Sequence, residues 1–346
     1  VTFQLVLPKF KTRSLQTLLC SLIIVFTNGC ETENPLDIDV SGIEVSVELG
    51  RLDQAWFDLT PVSYRERHPQ WQAEYGELYQ RYVEDVLGLG GWNDSNLFNQ
   101  IRRFTTDRSI LEVHSDLEQQ FSDLEDVQVE LEEAWKHYKY YFPNQEIPKH
   151  MIFMGGFNTP LAVTDEALGI GLEMYMGKDA VYYEFLQIPL FIRQRMTRAH
   201  MAPTALKGWI SSDFVLDEEN PTLLDKIVHE GKVLFAMDAM FPQADDTLKI
   251  FYDGKGMKWA VEHEEFVWAH FIDKAMLFET DAALIGKYTN DGPFTVDLAN
   301  ESPSGMGTYI GWQIVKAYME RQDEIDLTKM MSTDAEEILN NSKYKP

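Results

Sequence analysis

Hydrophobic positions along this chain change their period several times, and each change predicts an element. From Ile43 to Leu49 (IEVSVEL) apolar residues alternate with polar and acidic ones, the period-two pattern of a strand with one wet face. Over 62–87 the spacing becomes three and four. Trp71, Tyr75, Leu78, Tyr79 and Tyr82 then share one stripe, which predicts a helix closed by Gly88, Gly90 and Gly91. A second helix is expected over 93–105. A longer one is expected over 115–141, with Leu117, Phe121, Leu124, Leu131, Trp135 and Tyr138 on its buried side.

The character changes at Lys149. Three short strands, 150–153, 161–164 and 167–175, are separated by turns at Gly155-Gly156, Asn158-Thr159-Pro160 and Asp165-Glu166. Gly169 and Gly171 alternate within the third, which implies close approach of another backbone there. They do not form the GxGxxG loop of a nucleotide site. Helices are expected again over 180–187, 189–198, 221–240, 257–276, 305–320 and 333–341. Helices, then a small mixed sheet, then helices make a mostly helical α+β plan. Residues 43–346 read as one domain, with a division near 148 as the alternative, and the polar stretch 30–42 around Pro35 reads as a tether.

Residues 1–29 hold three basic residues (Lys9, Lys11, Arg13), no acid, and an apolar run from Ser14 to Phe26 that is too short to span a bilayer. With Thr27-Asn28-Gly29-Cys30 after it, the segment reads as a signal peptide cut before Cys30, the cysteine then receiving acyl chains. A plain signal peptide with an incidental cysteine, or an uncleaved anchor, is the alternative. The other cysteine, Cys20, lies inside the leader, so the mature chain has no thiol for an internal disulfide or a thiolate metal site.

Charge removes one class of function. The net charge is −26, and loss of the three basic leader residues makes it −29. Such a surface repels phosphate backbones and anionic head groups, so nucleic acid is not an expected partner, and membrane attachment rests on the acyl chains at Cys30.

Chemistry is concentrated in one segment, His229-Glu230-Gly231-Lys232-Val233. In HExxH zinc peptidases two histidines four apart bind zinc from one helix face while the glutamate activates water. Here the second histidine is replaced by Val233, which cannot ligate zinc, and Lys232 brings a positive charge beside the site. Three readings stay open. The segment is a buried polar network with Glu230 paired to Lys232 or another cation, a degenerate peptidase site (His229, Glu230, Lys232) reused for binding, or a hydrolase with unusual ligands. In the last, zinc would sit on His229 and a downstream acid, Glu265 or its neighbours Glu262 and Glu264. No cofactor is expected under the first two. His263 and His270, seven apart, make another partial set. No G-x-S-x-G elbow or Cys-His pair is present. Gly305, Gly307 and Gly311 lack the Lys-Ser/Thr of a phosphate loop and read as positions for tight helix packing. A glycan-binding surface is a further alternative, with Trp92, Trp259 and Trp312 as stacking candidates.

Taken together, four stretches resemble the gliding-motility lipoprotein B (GldB) family of the Bacteroidetes. They are Cys30 with its acidic sequel, Arg51-Leu52-Asp53-Gln54-Ala55-Trp56-Phe57, Val228-His229-Glu230-Gly231-Lys232, and the ending with Gly311-Trp312-Gln313-Ile314-Val315-Lys316-Ala317-Tyr318-Met319 and Ile338 to Pro346. The resemblance implies a membrane-anchored envelope lipoprotein of the gliding machinery, partnered by other envelope proteins. It also implies a fold of the zincin (gluzincin-like) kind with a pseudo-peptidase site, since this family carries HEGK in place of HExxH.

Overall fold

The computed structural model describes residues 34–346, so Cys30 and the leader lie outside the described residues. Four strands form a mixed sheet in the order β1-β2-β4-β3: β1 (Leu49–Arg51), β2 (Lys149–Phe153), β3 (Leu161–Val163) and β4 (Ala167–Gly171). β2 runs parallel to both β1 and β4, and β3 closes the edge antiparallel to β4. With helices before and after it, the sheet makes the molecule α+β.

β2 and β4 are buried on both faces, which is why they read as nearly continuous apolar runs. Successive side chains of β2 serve different cores. Met151 and Phe153 pack with Trp56, Tyr79 and Tyr82 on one face, while Ile152 joins the larger core of the C-terminal helices on the other. The two glycines of β4 are needed for this. A Cβ on Gly171 would lie 2.3 Å from the Thr159 carbonyl oxygen, and one on Gly169 would lie 2.8 Å from the Phe153 ring. The predicted close backbone is therefore present at Gly171, whereas Gly169 is met by side chains.

Several expectations are corrected. The alternation over 43–48 survives in burial but not in pairing: Val47 is buried and Glu44, Ser46 and Glu48 are exposed, yet the ladder begins only at Leu49. The Val47 amide instead donates to Glu132 Oε1 at 3.0 Å, so this extended stretch lies against the helix Glu125–Tyr141. Packing also starts earlier than residue 43, because Leu36 and Val40 are already buried. The helix expected over 115–141 is two, Arg108–Gln120 and Glu125–Tyr141, parted where Asp123 accepts from the Glu125 amide. Phe121 and Leu124 at that break still point inward. The helix expected over 257–276 is likewise two, Gly254–Glu262 and Glu264–Asp273, meeting at His263.

Several elements have no counterpart in the sequence reading, among them Asp246–Ile250, Ala282–Thr289, Leu327–Ser332 and, the longest of these, the helix Met201–Asp213. It is buried at Met201, Ala202, Ala205, Leu206, Trp209 and Ile210 and contains Pro203 and Gly208. Its buried positions recur at helical spacing, but Pro203 and Gly208, residues of poor helix propensity, interrupt the pattern in the sequence. The central helix, Leu223–Met240, is buried almost throughout and begins at a capping box made by Thr222 and Asp225. It crosses the helix Met306–Met319 at a distance only glycine allows. A Cβ on Gly311 would lie 1.6 Å from the Ile227 carbonyl oxygen, and one on Gly231 would lie 2.3 Å from the Gly311 carbonyl.

Candidate functional site

Gly231, the third residue of the peptidase-like segment, is thus occupied by the helix crossing. Its neighbours divide between several environments, because consecutive residues of a helix point about 100° apart. Val233 is 1% exposed, so the position that would carry a second zinc ligand faces the core. Lys232 is buried and donates to the backbone carbonyls of Thr333 at 2.5 Å and Met331 at 3.2 Å. Burial lowers its pKa, with Asp334 and Asp225 acting the other way. The expected Glu230–Lys232 pair is therefore absent: two residues apart on a helix, these side chains point to opposite sides. Lys232 closes the end of the short helix Leu327–Ser332 instead.

His229 lines a shallow cavity with Asp213, Asp225, Lys232 and Asp334, and burial, ahead of its charged neighbours, holds its pKa down. Glu230 lines a different and larger cleft. Glu265 is exposed and lines neither, so the alternative pair His229 and Glu265 is not gathered around one cavity. Glu264 is engaged by the hydroxyls of Tyr309 at 3.1 Å and Tyr344 at 2.8 Å. Among the described residues no three His, Cys, Asp or Glu side chains are grouped to hold a metal ion. His263 stacks on Trp259 with centroids 4.1 Å apart, and His270 shares a hydrogen bond of 2.9 Å with the Tyr288 hydroxyl. Trp312 is fully buried and donates to Asp238 at 2.8 Å, so it presents no face to a sugar.

The polar network on the central helix is at Asp238, two turns past His229. Asp238 accepts from Lys249 Nζ at 2.9 Å, with both side chains nearly inaccessible, and from Trp312 Nε1. Burial works against the Lys249 charge, and Asp238 and Asp246 overcome it and raise its pKa.

The cleft lined by Glu230 has two chambers. The larger, 530 Å³, is polar, with Asp253, Asp291, Ser302 and Thr308 among its walls. The smaller, 380 Å³, is bounded mostly by apolar side chains, among them Leu161, Met174, Ile192 and Met196. Arg195, Lys207 and Phe251 line both and form the waist between them. The Lys207 ammonium lies 4.6 Å from the centroid of the Phe251 ring, and the Arg195 guanidinium 5.8 Å from it. Phe251 is set there by a left-handed backbone (φ 66°) that ends the short helix Asp246–Ile250. Burial draws the Lys207 pKa down, and Glu230 and Asp291 draw it up.

The sequence reading missed Lys207 and Arg195, although a signal was present. No Asp or Glu occurs from 185 to 212, a stretch holding Arg193, Arg195, Arg198 and Lys207 in a chain of net charge −26.

The sequence profile of a known family, the gliding motility protein GldB, matches residues 33–346, which include every described residue. The chain belongs to the GldB family. It is accordingly a gliding-motility-associated lipoprotein, a class with a membrane-anchored place in the cell envelope. Among the described residues no helix is long and apolar enough to cross a membrane. No curated protein and no solved structure matches the chain.

Proposed function

We propose that this GldB family member is a non-catalytic component of the gliding apparatus. It is exported by its leader, held to the membrane by acyl chains on Cys30, and engages other proteins of the envelope. On this reading the fold is of the zincin kind, and its former peptidase segment now serves as a helix joint. The observation that carries the proposal is the use made of His229 to Val233. Gly231 admits the Gly311 backbone, Lys232 holds two carbonyls, Val233 is in the core, and His229 and Glu230 line separate cavities. A working zinc peptidase needs the histidine, the glutamate and the fourth position after the histidine around a single metal.

The test is complementation of a gliding strain lacking its own family member, read as single-cell movement and membrane fractionation. Glu230→Gln should restore movement as well as the parent chain. Cys30→Ala should leave the membrane fraction and fail to restore it. Loss of movement in a folded, normally abundant Glu230→Gln variant would overturn the non-catalytic reading. So would stoichiometric zinc in the purified protein that disappears in His229→Ala.

A further inference from the structure

Of the four cations in the acid-free stretch 185–212, three are engaged within the protein. Arg193 donates to the Ile188 carbonyl at 2.5 Å, Arg195 pairs with Asp291 at 2.5 Å, and Arg198 pairs with Asp126 at 2.5 Å. Lys207 differs. Its ammonium has no hydrogen bond and no ion pair among the described residues, and its contact is the face of Phe251. An ammonium carries three donors, and leaving them unmade in a partly desolvated place is unfavourable.

The two chambers beside Lys207 differ in sign. The polar chamber holds the carboxylates of Glu230, Asp253, Asp291 and Glu301. The apolar chamber has no acidic side chain in its wall, and its two charged residues are Arg195 and Lys207. In a chain of net charge −26, a chamber charged only by cations is complementary to an anion. Leu161, Met174, Ile192 and Met196 offer apolar contact, while Thr204 and Ser211 give little hydrogen bonding for a peptide group. Its 380 Å³ falls within the range of about 300–1,000 Å³ usual for small-molecule sites.

We propose that the apolar chamber binds a small monocarboxylate with a hydrocarbon body, its carboxylate held by the Lys207 ammonium and flanked by Arg195. Such a contact is a charge-assisted hydrogen bond, the strong kind. The inference is independent of whether the protein is catalytic, because it concerns binding at residues outside the His229 segment.

The experiment is calorimetric titration of the full chain in detergent with octanoate, octanamide and N-acetyl-leucine, each against a protein-free detergent blank. Octanoate should bind at least about tenfold tighter than octanamide, a difference of about 1.4 kcal/mol. That preference should vanish in Lys207→Met and persist in Lys207→Arg, with both variants melting as the parent does. Equal binding of octanoate and octanamide would overturn the proposal, as would an octanoate affinity unchanged in Lys207→Met or no binding at millimolar ligand. Tighter binding of N-acetyl-leucine than of octanoate would replace the hydrocarbon body by a peptide-like one. A failure of any of these leaves the movement of Glu230→Gln cells unaffected, so the two proposals fail separately.

Discussion

The helix joint at Gly231 and the cleft waist at Lys207 both involve the central helix and are built on opposite principles. In the joint no space is left and the charges have partners: Gly311 meets the Ile227 carbonyl, Lys232 meets two carbonyls, and Asp238 meets Lys249 and Trp312. At the waist there is space on two sides and an ammonium with no hydrogen bond among the described residues. A fold can keep polar residues for its own coherence or hold them ready for something else, and the partner list separates the two uses. By this criterion Gly231, Lys232 and Val233 are committed to packing and internal hydrogen bonds, while the ammonium without a hydrogen bond among the described residues lies on the helix Met201–Asp213.

The sharpest way to break the joint is to add one carbon. Gly311→Ala places a methyl 1.6 Å from a backbone oxygen, and neither helix can yield without losing the packing of the other. We expect a loss of about 4 kcal/mol or more, or no folded protein at all, in urea denaturation. Gly254→Ala, where nothing lies within 4 Å of the added carbon, is the control and should stay within about 0.5 kcal/mol of the parent. If Gly311→Ala is as mild as the control, the crossing is looser than described.

Next comes the charge in the joint. Asp238→Ala strands Lys249 and Trp312 Nε1 in a buried place, a change that costs about 3–5 kcal/mol for buried pairs. Asp246, 3.0 Å from Lys249, remains and puts the expected loss near the lower end. Asp238→Asn keeps an acceptor for Trp312 and should lose less. Equal losses in the two variants would mean that charge contributes nothing to this network.

How far these features were legible follows from where each signal lies. The stripe Trp71, Tyr75, Leu78, Tyr79 and Tyr82 was readable because the helix has a wet side, and all five residues are buried. The strands were readable because turn residues bound them. Met201–Asp213 was not, since Pro203 and Gly208 argue against a helix and interrupt its stripe. The packing role expected for Gly305, Gly307 and Gly311 is met at Gly307 and Gly311, both against Ile227. The role of Gly231 was hidden because its partner lies 80 residues later in the chain, and nothing local announces it. Lys207 could have been found from charge alone, but its freedom from partners is a property of three dimensions.

Glu173 falls between the two regimes. Its Oε1 accepts from the Gly155 amide at 2.6 Å and the Phe157 amide at 2.9 Å, while its buried Oε2 has no hydrogen-bond partner among the described residues. Burial raises its pKa from 4.5 to about 7. A carboxyl whose folded pKa lies above its unfolded value binds protons more tightly in the native state, so stability is lost as pH rises through that window. Between pH 5 and pH 8 the parent should lose roughly 2–3 kcal/mol from this residue. Glu173→Gln should remove that part of the slope and be the more stable protein at pH 8. Thermal melts at the two pH values check it, and parallel curves for parent and variant would show that Glu173 does not titrate there.

The smallest effect is expected where the polar group serves no internal purpose, and the two lysines make the comparison direct. Lys232→Met leaves the carbonyls of Met331 and Thr333 without their donor, a change worth about 1–3 kcal/mol when the orphaned groups stay buried. Lys207→Met removes a partly desolvated charge that makes no hydrogen bond among the described residues, and methionine fills the same path toward Phe251. Its stability should stay within about 1 kcal/mol of the parent, with a gain as admissible as a loss. Denaturation midpoints of the two variants, taken side by side, decide the matter. A loss at Lys207 as large as that at Lys232 would make the waist a second structural joint, and its cations could no longer be counted as held in reserve for an anion.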